Sequence, residues 1–256
     1  MDTVALVPAA GRGTRLGAGV PKALVRVLGQ SLLSRAVRGL LDSGSVGHVV
    51  VAAAPDQLDL MGREVRDLGE RVHVVPGGGE RTDSVRAALR AADRLVPSAE
   101  VVLVHDAARA FTPARVIRDV VAAVERGAPA VVPTLSVADT IKRVDDEGVV
   151  AETVDRSRLR TVQTPQGFTV DVLREAYGAA GEVATDDAGL VERLGYPVET
   201  VDGHTNALKV TTSFDLAVAE AVLAAGSVEL PESRVDTLGR SNDTESDTSE
   251  RCGDES

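Results

Sequence analysis

The stretch Val4-Ala5-Leu6-Val7-Pro8-Ala9-Ala10-Gly11-Arg12-Gly13-Thr14-Arg15-Leu16-Gly17, followed by Pro21-Lys22, reads as a buried strand that runs into a glycine loop and then into cations. Apolar residues in unbroken succession suit a strand covered on both faces, as in a parallel sheet. Past Pro8 the side chains are small, so backbone N–H groups there can approach phosphate oxygens closely. Arg12, Arg15 and Lys22 put positive charge nearby. Two familiar phosphate loops do not fit. A P-loop needs Gly-x-x-x-x-Gly-Lys-Ser/Thr, but Gly13 is followed by Gly17 and Ala18. The dinucleotide fingerprint needs a third glycine where Leu16 stands. A looser Gly-x-Gly-x-x-x-Gly spacing remains, although no acid ends the second strand to hold a ribose. A triphosphate whose chemistry builds charge on the α-phosphate calls for cations such as Arg15 and Lys22. A glycine turn with solvated arginines is the plain alternative.

Outward from this loop, short Val-rich runs alternate with amphipathic segments, the pattern of an α/β fold with a mostly parallel sheet and helices on both faces. The expected strands are Val4–Val7, His48–Ala53, Val72–Val75, Val101–Val104 and Ala130–Val132. In Ser31–Leu41 the residues Leu32, Leu33, Ala36, Val37, Leu40 and Leu41 form one helical stripe. Thr112–Glu125 is expected to start with Thr112 as N-cap and Pro113 at the first helical position. Thr212–Ala225 opens with a capping box from Thr212 to Asp215. Between residues 136 and 160 the rhythm changes. Ile141–Val144 and Val149–Val154 flank the turn Asp145-Asp146-Glu147-Gly148, so a β-hairpin arm is expected to project from the sheet.

Composition narrows the class further. A chain of 256 residues suits one α/β domain. Aromatics make up 2% and Trp is absent, so the core must come from Val, Leu and Ala. Residues 227–256 hold nine acids against three arginines and few apolar residues, which makes them an expected disordered acidic tail beyond a domain at 1–226. The formal charge of −11 argues against a broad nucleic-acid surface, though not against a small nucleotide in a local basic pocket. The one cysteine, Cys252, allows no disulfide framework within a chain. No apolar run approaches the roughly 18 residues of a membrane span. The N-terminus has no basic region of a signal peptide. A cytoplasmic protein with no membrane partner is the expectation.

A second set of residues follows two later strands. Gly77-Gly78-Gly79-Glu80-Arg81-Thr82-Asp83-Ser84 is another glycine loop running into a helix, suited to hold a base or ribose by backbone contacts, or else a plain turn. After Val101–Val104 comes His105-Asp106-Ala107-Ala108-Arg109. An acid at the end of a central strand sits where open α/β sheets bind ligands. There Asp106 could hold Mg²⁺ against a triphosphate; an ordinary turn aspartate is the alternative. His105 reads as a structural strand-end residue without an identifiable partner.

Taken together, these motifs resemble the 2-C-methyl-D-erythritol 4-phosphate cytidylyltransferase family. Pro8-Ala9-Ala10-Gly11-Arg12-Gly13-Thr14-Arg15 with Pro21-Lys22, the second glycine loop through Val85, and Val104-His105-Asp106-Ala107-Ala108-Arg109 are similar to its first three motifs. Asp139-Thr140-Ile141-Lys142, Thr153-Val154-Asp155-Arg156, Gln163-Thr164-Pro165-Gln166, Thr185-Asp186-Asp187 and Leu208-Lys209-Val210-Thr211 follow in order. The resemblance implies a Rossmann-like nucleotidyltransferase fold and a CTP-dependent step of the non-mevalonate isoprenoid route, with a divalent cation, normally Mg²⁺, as cofactor. It implies that Arg15 and Lys22 stabilise the transition state, while Arg156 and Lys209 position the polyol phosphate. It assigns Pro8, Ala9, Ala10, Gly11, Gly13, Gly78, Gly79, Ser84 and Ala107 to the nucleotide. Asp106, Arg109, Thr140 and Thr185 go to the substrate pocket, with Asp106 also on the metal. It further implies a homodimer in which the arm reaches the other subunit's site.

Two departures stand out: Asn206 occupies a place where the family usually has an acid, and Ala110 replaces a common proline. The uncharged Asn206 weakens any metal role there. A cytidylyltransferase of ribitol 5-phosphate or another polyol phosphate shares the loop, Lys22 and Asp106. A non-catalytic nucleotide-binding protein on the same scaffold is the alternative of a different class.

Overall fold

Val4, Leu6, Val50, Ala52, Val102 and Val104 point to one face of a central sheet, while Ala5, Val7, Val49, Val51, Val101 and Leu103 point to the other, and each set meets helices. This two-sided burial is why the strands read as unbroken apolar runs. The computed structural model describes residues 1–11, 20–179 and 186–224. Along the chain come β1 (Asp2–Pro8), β2 (Arg26–Val27), β3 (Gln30–Ser31), α1 (Leu32–Asp42), β4 (His48–Ala53), α2 (Leu58–Val65), β5 (Val72–Pro76), α3 (Arg81–Leu95), β6 (Ala99–Val104) and α4 (Ala114–Glu125). They are followed by β7 (Ala130–Ser136), β8 (Ile141–Val144), β9 (Val150–Val154), β10 (Arg160–Val162), β11 (Gln166–Thr169), α5 (Val170–Ala179), α6 (Ala188–Arg193), β12 (Val198–Asp202) and α7 (Ser213–Ala224).

The main sheet has eight strands in the order β10-β7-β11-β6-β1-β4-β5, with β12 joined to β7. β1 lies parallel to both β4 and β6, and β5 continues the parallel set beside β4. β11 runs antiparallel to β6 and β7, whereas β12 runs parallel to β7. One core layer packs α1, α2 and α4 through Leu33, Val37, Leu40, Met61, Val65, Ile117 and Val120. The other packs α3, α5 and α6 through Val85, Leu89, Leu173, Tyr177, Leu190 and Val191 against Phe168 of β11 and the sheet residues of that face. The fold is thus α/β, with a mostly parallel sheet covered on both faces.

Each of the five expected strands is present, lengthened by up to four residues. The helix expected at Ser31 begins at Leu32, with the Ser31 side chain accepting the Ser34 N–H at 3.2 Å as its cap. The capping box at α7 is formed: Thr212 Oγ1 accepts from Asp215 N at 3.2 Å, and Asp215 Oδ2 accepts from Thr212 N at 2.8 Å. The helix ends at Ala224 among the described residues; the expected last residue, Ala225, and the acidic tail lie outside them.

The start expected for α4 needs correcting. Pro113, not Thr112, is the N-cap residue, and the helix starts at Ala114. The Thr112 hydroxyl instead donates to the Arg109 carbonyl at 3.0 Å, so it is spent on the preceding turn. The arm forms as a separate two-stranded sheet of β8 and β9, closed by the turn Asp145–Gly148, where Gly148 has φ 81°. Val144, Val149 and Val150 on it are more than half exposed.

The fold rests heavily on Phe168, the largest fully buried side chain. Phe168→Ala is expected to lower stability by about 3–5 kcal/mol, through lost burial and a residual cavity. Urea unfolding checks this; a loss below about 1 kcal/mol would mean that Phe168 does not anchor β11 to the layer of α3, α5 and α6.

Candidate active site

Three loops meet where β1, β4, β5 and β6 end. Backbone bonds fix them to the sheet: Ala9 N donates to Ala52 O at 2.7 Å, Gly77 N to Ala53 O at 2.7 Å, and His105 N to Leu6 O at 2.9 Å. They enclose a pocket lined by Pro8, Ala9, Ala10, Gly11, Gly78, Gly79, Glu80, Arg81, Ser84, Asp106, Ala107 and Ala108, with Lys22, Ala23 and Lys209 across from them. Lys22 opens a short helical turn, Lys22–Leu24, whose Leu24 N–H returns to Pro21 O at 2.8 Å. That turn sets the lysine beside the first loop.

The second glycine loop is held against the start of α3. The Ser84 hydroxyl accepts from Gly78 N at 3.2 Å and faces the carbonyls of Gly78 and Glu80. A Cβ on Gly78 would lie 2.3 Å from the Cβ of Asp83, so only glycine permits this approach. At Gly78 and Gly79 the loop therefore presents backbone to the pocket, with Glu80, Arg81 and Ser84 following on the same wall.

Asp106 carries the concentrated charge. Its Oδ2 lies 2.8 Å from Lys209 Nζ and its Oδ1 3.5 Å from an Arg81 nitrogen. Burial alone would raise this carboxyl, but Arg81 and Lys209 outweigh it and hold it down at about 2. Asp106 is therefore an anion throughout the neutral range. Arg81 in turn makes a bidentate pair with the buried Asp187, at 3.0 and 2.7 Å. Thr164 Oγ1 accepts from Asp106 N at 3.0 Å and sits 3.1 Å from His105 Nδ1. So His105 does have a partner, and its ring is buried under the site. Burial pushes this imidazole down to about 4, overriding the nearby Asp106 charge, which alone would raise it. It is neutral at pH 7 and serves as structure.

The residues singled out in the sequence divide into three groups. Pro8, Ala9, Ala10, Gly11, Lys22, Gly78, Gly79, Ser84, Asp106, Ala107 and Lys209 come together around the pocket. Arg109, Thr140 and Arg156 do not line it. Arg109 donates to Ala207 O at 2.6 Å and to Val162 O at 3.1 Å, which ties the segment before Lys209 to β10. Thr140 and Arg156 are exposed on the arm, with the Arg156 guanidinium on the Ala138 carbonyl. Gly13, Arg15 and Thr185 lie outside the described residues.

Sequence reasoning gave no role to Arg81, Glu80, Tyr177, Thr164 or Asp187. Arg81 and Asp187 stood inside recognised motifs, but 106 residues separate them, and nothing in the spacing pairs them.

No group of three or more His, Cys, Asp and Glu among the described residues could hold a metal ion by itself. A magnesium ion does not require one, because it commonly takes one or two carboxylates and completes its shell with water and substrate phosphates. Asp106 fits that role. Its carboxylate has about four lone-pair sites, of which Lys209 and the long Arg81 contact occupy two.

Comparison with known proteins places the chain in one family. The family model described as 2-C-methyl-D-erythritol 4-phosphate cytidylyltransferase matches residues 3–225. A protein of that name from Saccharopolyspora erythraea is 73% identical over 224 residues, spanning 88% of this chain and all of its own length. One from Rhodococcus opacus is 55% identical, over 88% of this chain and 96% of its own. The crystal structure of the Thermus thermophilus protein of the same name superposes with a TM-score of 0.72 at 38% identity, covering 88% of this chain and 100% of that one.

The buried His105 gives the fold an acid-sensitive element. Its folded value lies below the ordinary 6.5, so its contribution to stability is complete above pH 6.5 and is lost as pH falls toward about 4. The full window corresponds to about 3 kcal/mol. His105→Gln, measured by urea unfolding between pH 7 and 4.5 without divalent cations, should show a flatter profile than the parent. Parallel profiles would mean that His105 titrates normally in the folded protein.

Proposed function

The chain belongs to the 2-C-methyl-D-erythritol 4-phosphate cytidylyltransferase family, and from that premise we infer that it joins CTP to 2-C-methyl-D-erythritol 4-phosphate. The products are 4-diphosphocytidyl-2-C-methyl-D-erythritol and pyrophosphate. The observation that carries this reading is the pocket itself, where a side-chain-free glycine wall faces Lys22, Lys209 and the ionised Asp106.

In the reaction, a phosphate oxygen of the polyol substrate attacks the α-phosphorus of CTP. The new O–P bond forms as the bond to the β-phosphate oxygen breaks, and pyrophosphate leaves with that electron pair. The nucleophile is already an anion, so the protein needs no nucleophilic side chain. Its work is alignment and charge compensation. Lys22 meets the charge that grows on the α-phosphate, and Arg15 is assigned to the same task from its motif. The Gly78–Gly79 wall receives the nucleoside through backbone groups. Lys209, whose side chain is 45% exposed, can exchange its contact with Asp106 for the substrate phosphate. Asp106 is the residue that would hold Mg²⁺, which would supply neutralisation of phosphate charge.

The arm completes the site in this reading. A hairpin with half-exposed valines has too little burial to be stable alone. We assign it to a homodimer contact that delivers Thr140 and Arg156 to the partner's pocket, where the arginine fork suits a phosphate. Residues 227–256 are assigned no catalytic part, and consumption of CTP fits a cytoplasmic setting.

The substrate assignment is tested by pyrophosphate release with CTP and Mg²⁺, using 2-C-methyl-D-erythritol 4-phosphate or ribitol 5-phosphate. Turnover with the first at least about tenfold above the second is expected; the reverse order would move the chain to a different polyol.

Subunit sharing is tested with two variants. Lys22→Ala and Arg156→Ala should each be nearly inactive, the first by about 10²–10³ in rate. In a mixed dimer one site regains both residues and the other loses both. Activity per mixed dimer should return to about half of the parent's if the sites are independent. No recovery, with mixed dimers verified by native mass spectrometry, would place Arg156 in its own subunit's service or outside the site.

A further inference from the structure

A chain of polar contacts leads from the core to the pocket wall. Tyr177 on α5 is 4% exposed and Asp187 is 0% exposed. The tyrosine hydroxyl donates to Asp187 Oδ1 at 2.5 Å. Arg81 donates from Nη1 to Oδ1 at 3.0 Å and from Nη2 to Oδ2 at 2.7 Å. Nη2 also reaches Asp106 Oδ1, but only at 3.5 Å. Asp187 itself does not line the pocket; Arg81 stands between it and the ligand space.

Asp187 occupies the N-cap position of α6, where an aspartate normally caps a helix N–H, yet its side chain caps none. The nearby donors are served by others: Ala188 N by Gln166 Oε1 at 3.0 Å, and Gly189 N by Asp186 Oδ1 at 3.0 Å. The Asp187 carboxylate is thereby left wholly to Arg81 and Tyr177. A guanidinium prefers a bidentate carboxylate partner, and Arg81 has two carboxylates within reach. Asp187 takes the fork, and Asp106 receives one long contact.

We propose that Asp187, fixed by the Tyr177 hydroxyl, is a positioning residue that keeps the Arg81 fork off Asp106. Asp106 then keeps lone pairs open toward the pocket, and Lys209 remains the cation that can leave it when substrate arrives. Without the Asp187 charge, the next carboxylate for the fork is Asp106, and bidentate pairing there closes the oxygens that a ligand would use. The kinetic consequence rests on the pocket being the cytidylyl-transfer site; the structural consequence does not.

Asp187→Asn keeps the shape and removes the charge. A crystal structure of this variant should show Arg81 with two N–H groups on Asp106. Arg81 remaining in its present place would overturn the proposal, whether or not the enzyme turns over. In steady-state assays of the full chain, kcat should fall about tenfold to a hundredfold, with KM for CTP within about twofold of the parent. Adding Arg81→Gln removes the cation that blocks Asp106, so the double variant should be faster than Asp187→Asn alone. A purely structural role would leave the double variant equally slow or slower, and that result also overturns the proposal. If Asp187→Asn does not fold, as judged by circular dichroism, Tyr177→Phe with and without Arg81→Gln carries the same comparison at smaller amplitude. A parent chain inactive on CTP and the methylerythritol phosphate would sink the functional reading, while the crystallographic comparison would still decide this one.

Discussion

Because β1 is hydrogen-bonded on both sides by parallel strands, its C-terminal end, that of β4 and that of β6 must stop at one edge of the sheet. Leu6 pairs with Val104 and Pro8 with Ala52, so the loops that follow leave the sheet together. The pocket is a consequence of this register. A slip of one residue would turn every core side chain to the opposite face, and it would also break the backbone bonds that hold Ala9, Gly77 and His105 at the rim. Core packing and site geometry are therefore one constraint.

On that scaffold, the electrostatics follow from unequal burial. Asp187 is fully buried and Asp106 nearly so, whereas Lys209 and Arg81 keep part of their side chains in water. Buried carboxylates are costly unless paired, which accounts for the bidentate Arg81 pair and the Tyr177 bond on Asp187. The partner left to Asp106 that is most exposed is also the one best able to leave it. An arrangement with one fixed and one exchangeable cation suits a reaction in which anionic substrates enter and pyrophosphate departs.

The parallel strands were legible in the sequence because burial on two faces writes an unbroken apolar run. β11 was not legible, because Gln166-Gly167-Phe168-Thr169 carries one large apolar residue. Its place is set by contacts distant in sequence: a Cβ on Gly167 would lie 2.5 Å from Val120, and Gln166 bonds Asp186 at 2.9 Å. The glycine loops, Lys22 and Asp106 could be read because each follows a legible strand or loop, whereas Lys209 was reached only through the family resemblance. Arg81 with Asp187 could not be read, since only the fold brings α3 to α6. Arg109, assigned to the substrate pocket through the family resemblance, here donates to the backbone carbonyls of Ala207 and Val162, contacts that no local spacing foretells.

The same contrast bears on Asn206, which stands where the family resemblance leads one to expect an acid. Asn206 does not line the pocket. Its backbone N–H bonds His204 Nδ1 at 3.0 Å, within the turn Thr205–Ala207. His204 is held at both backbone groups by Gln163, at 3.0 and 2.9 Å, and Ala207 O by Arg109. One residue past Lys209, Val210 N bonds Ala108 O at 2.9 Å. The lysine is thus placed by backbone anchors on both sides, none of which uses the side chain at position 206. An acid there would add charge to the rim without being needed to aim Lys209, so an uncharged residue is compatible with an intact lysine–aspartate pair.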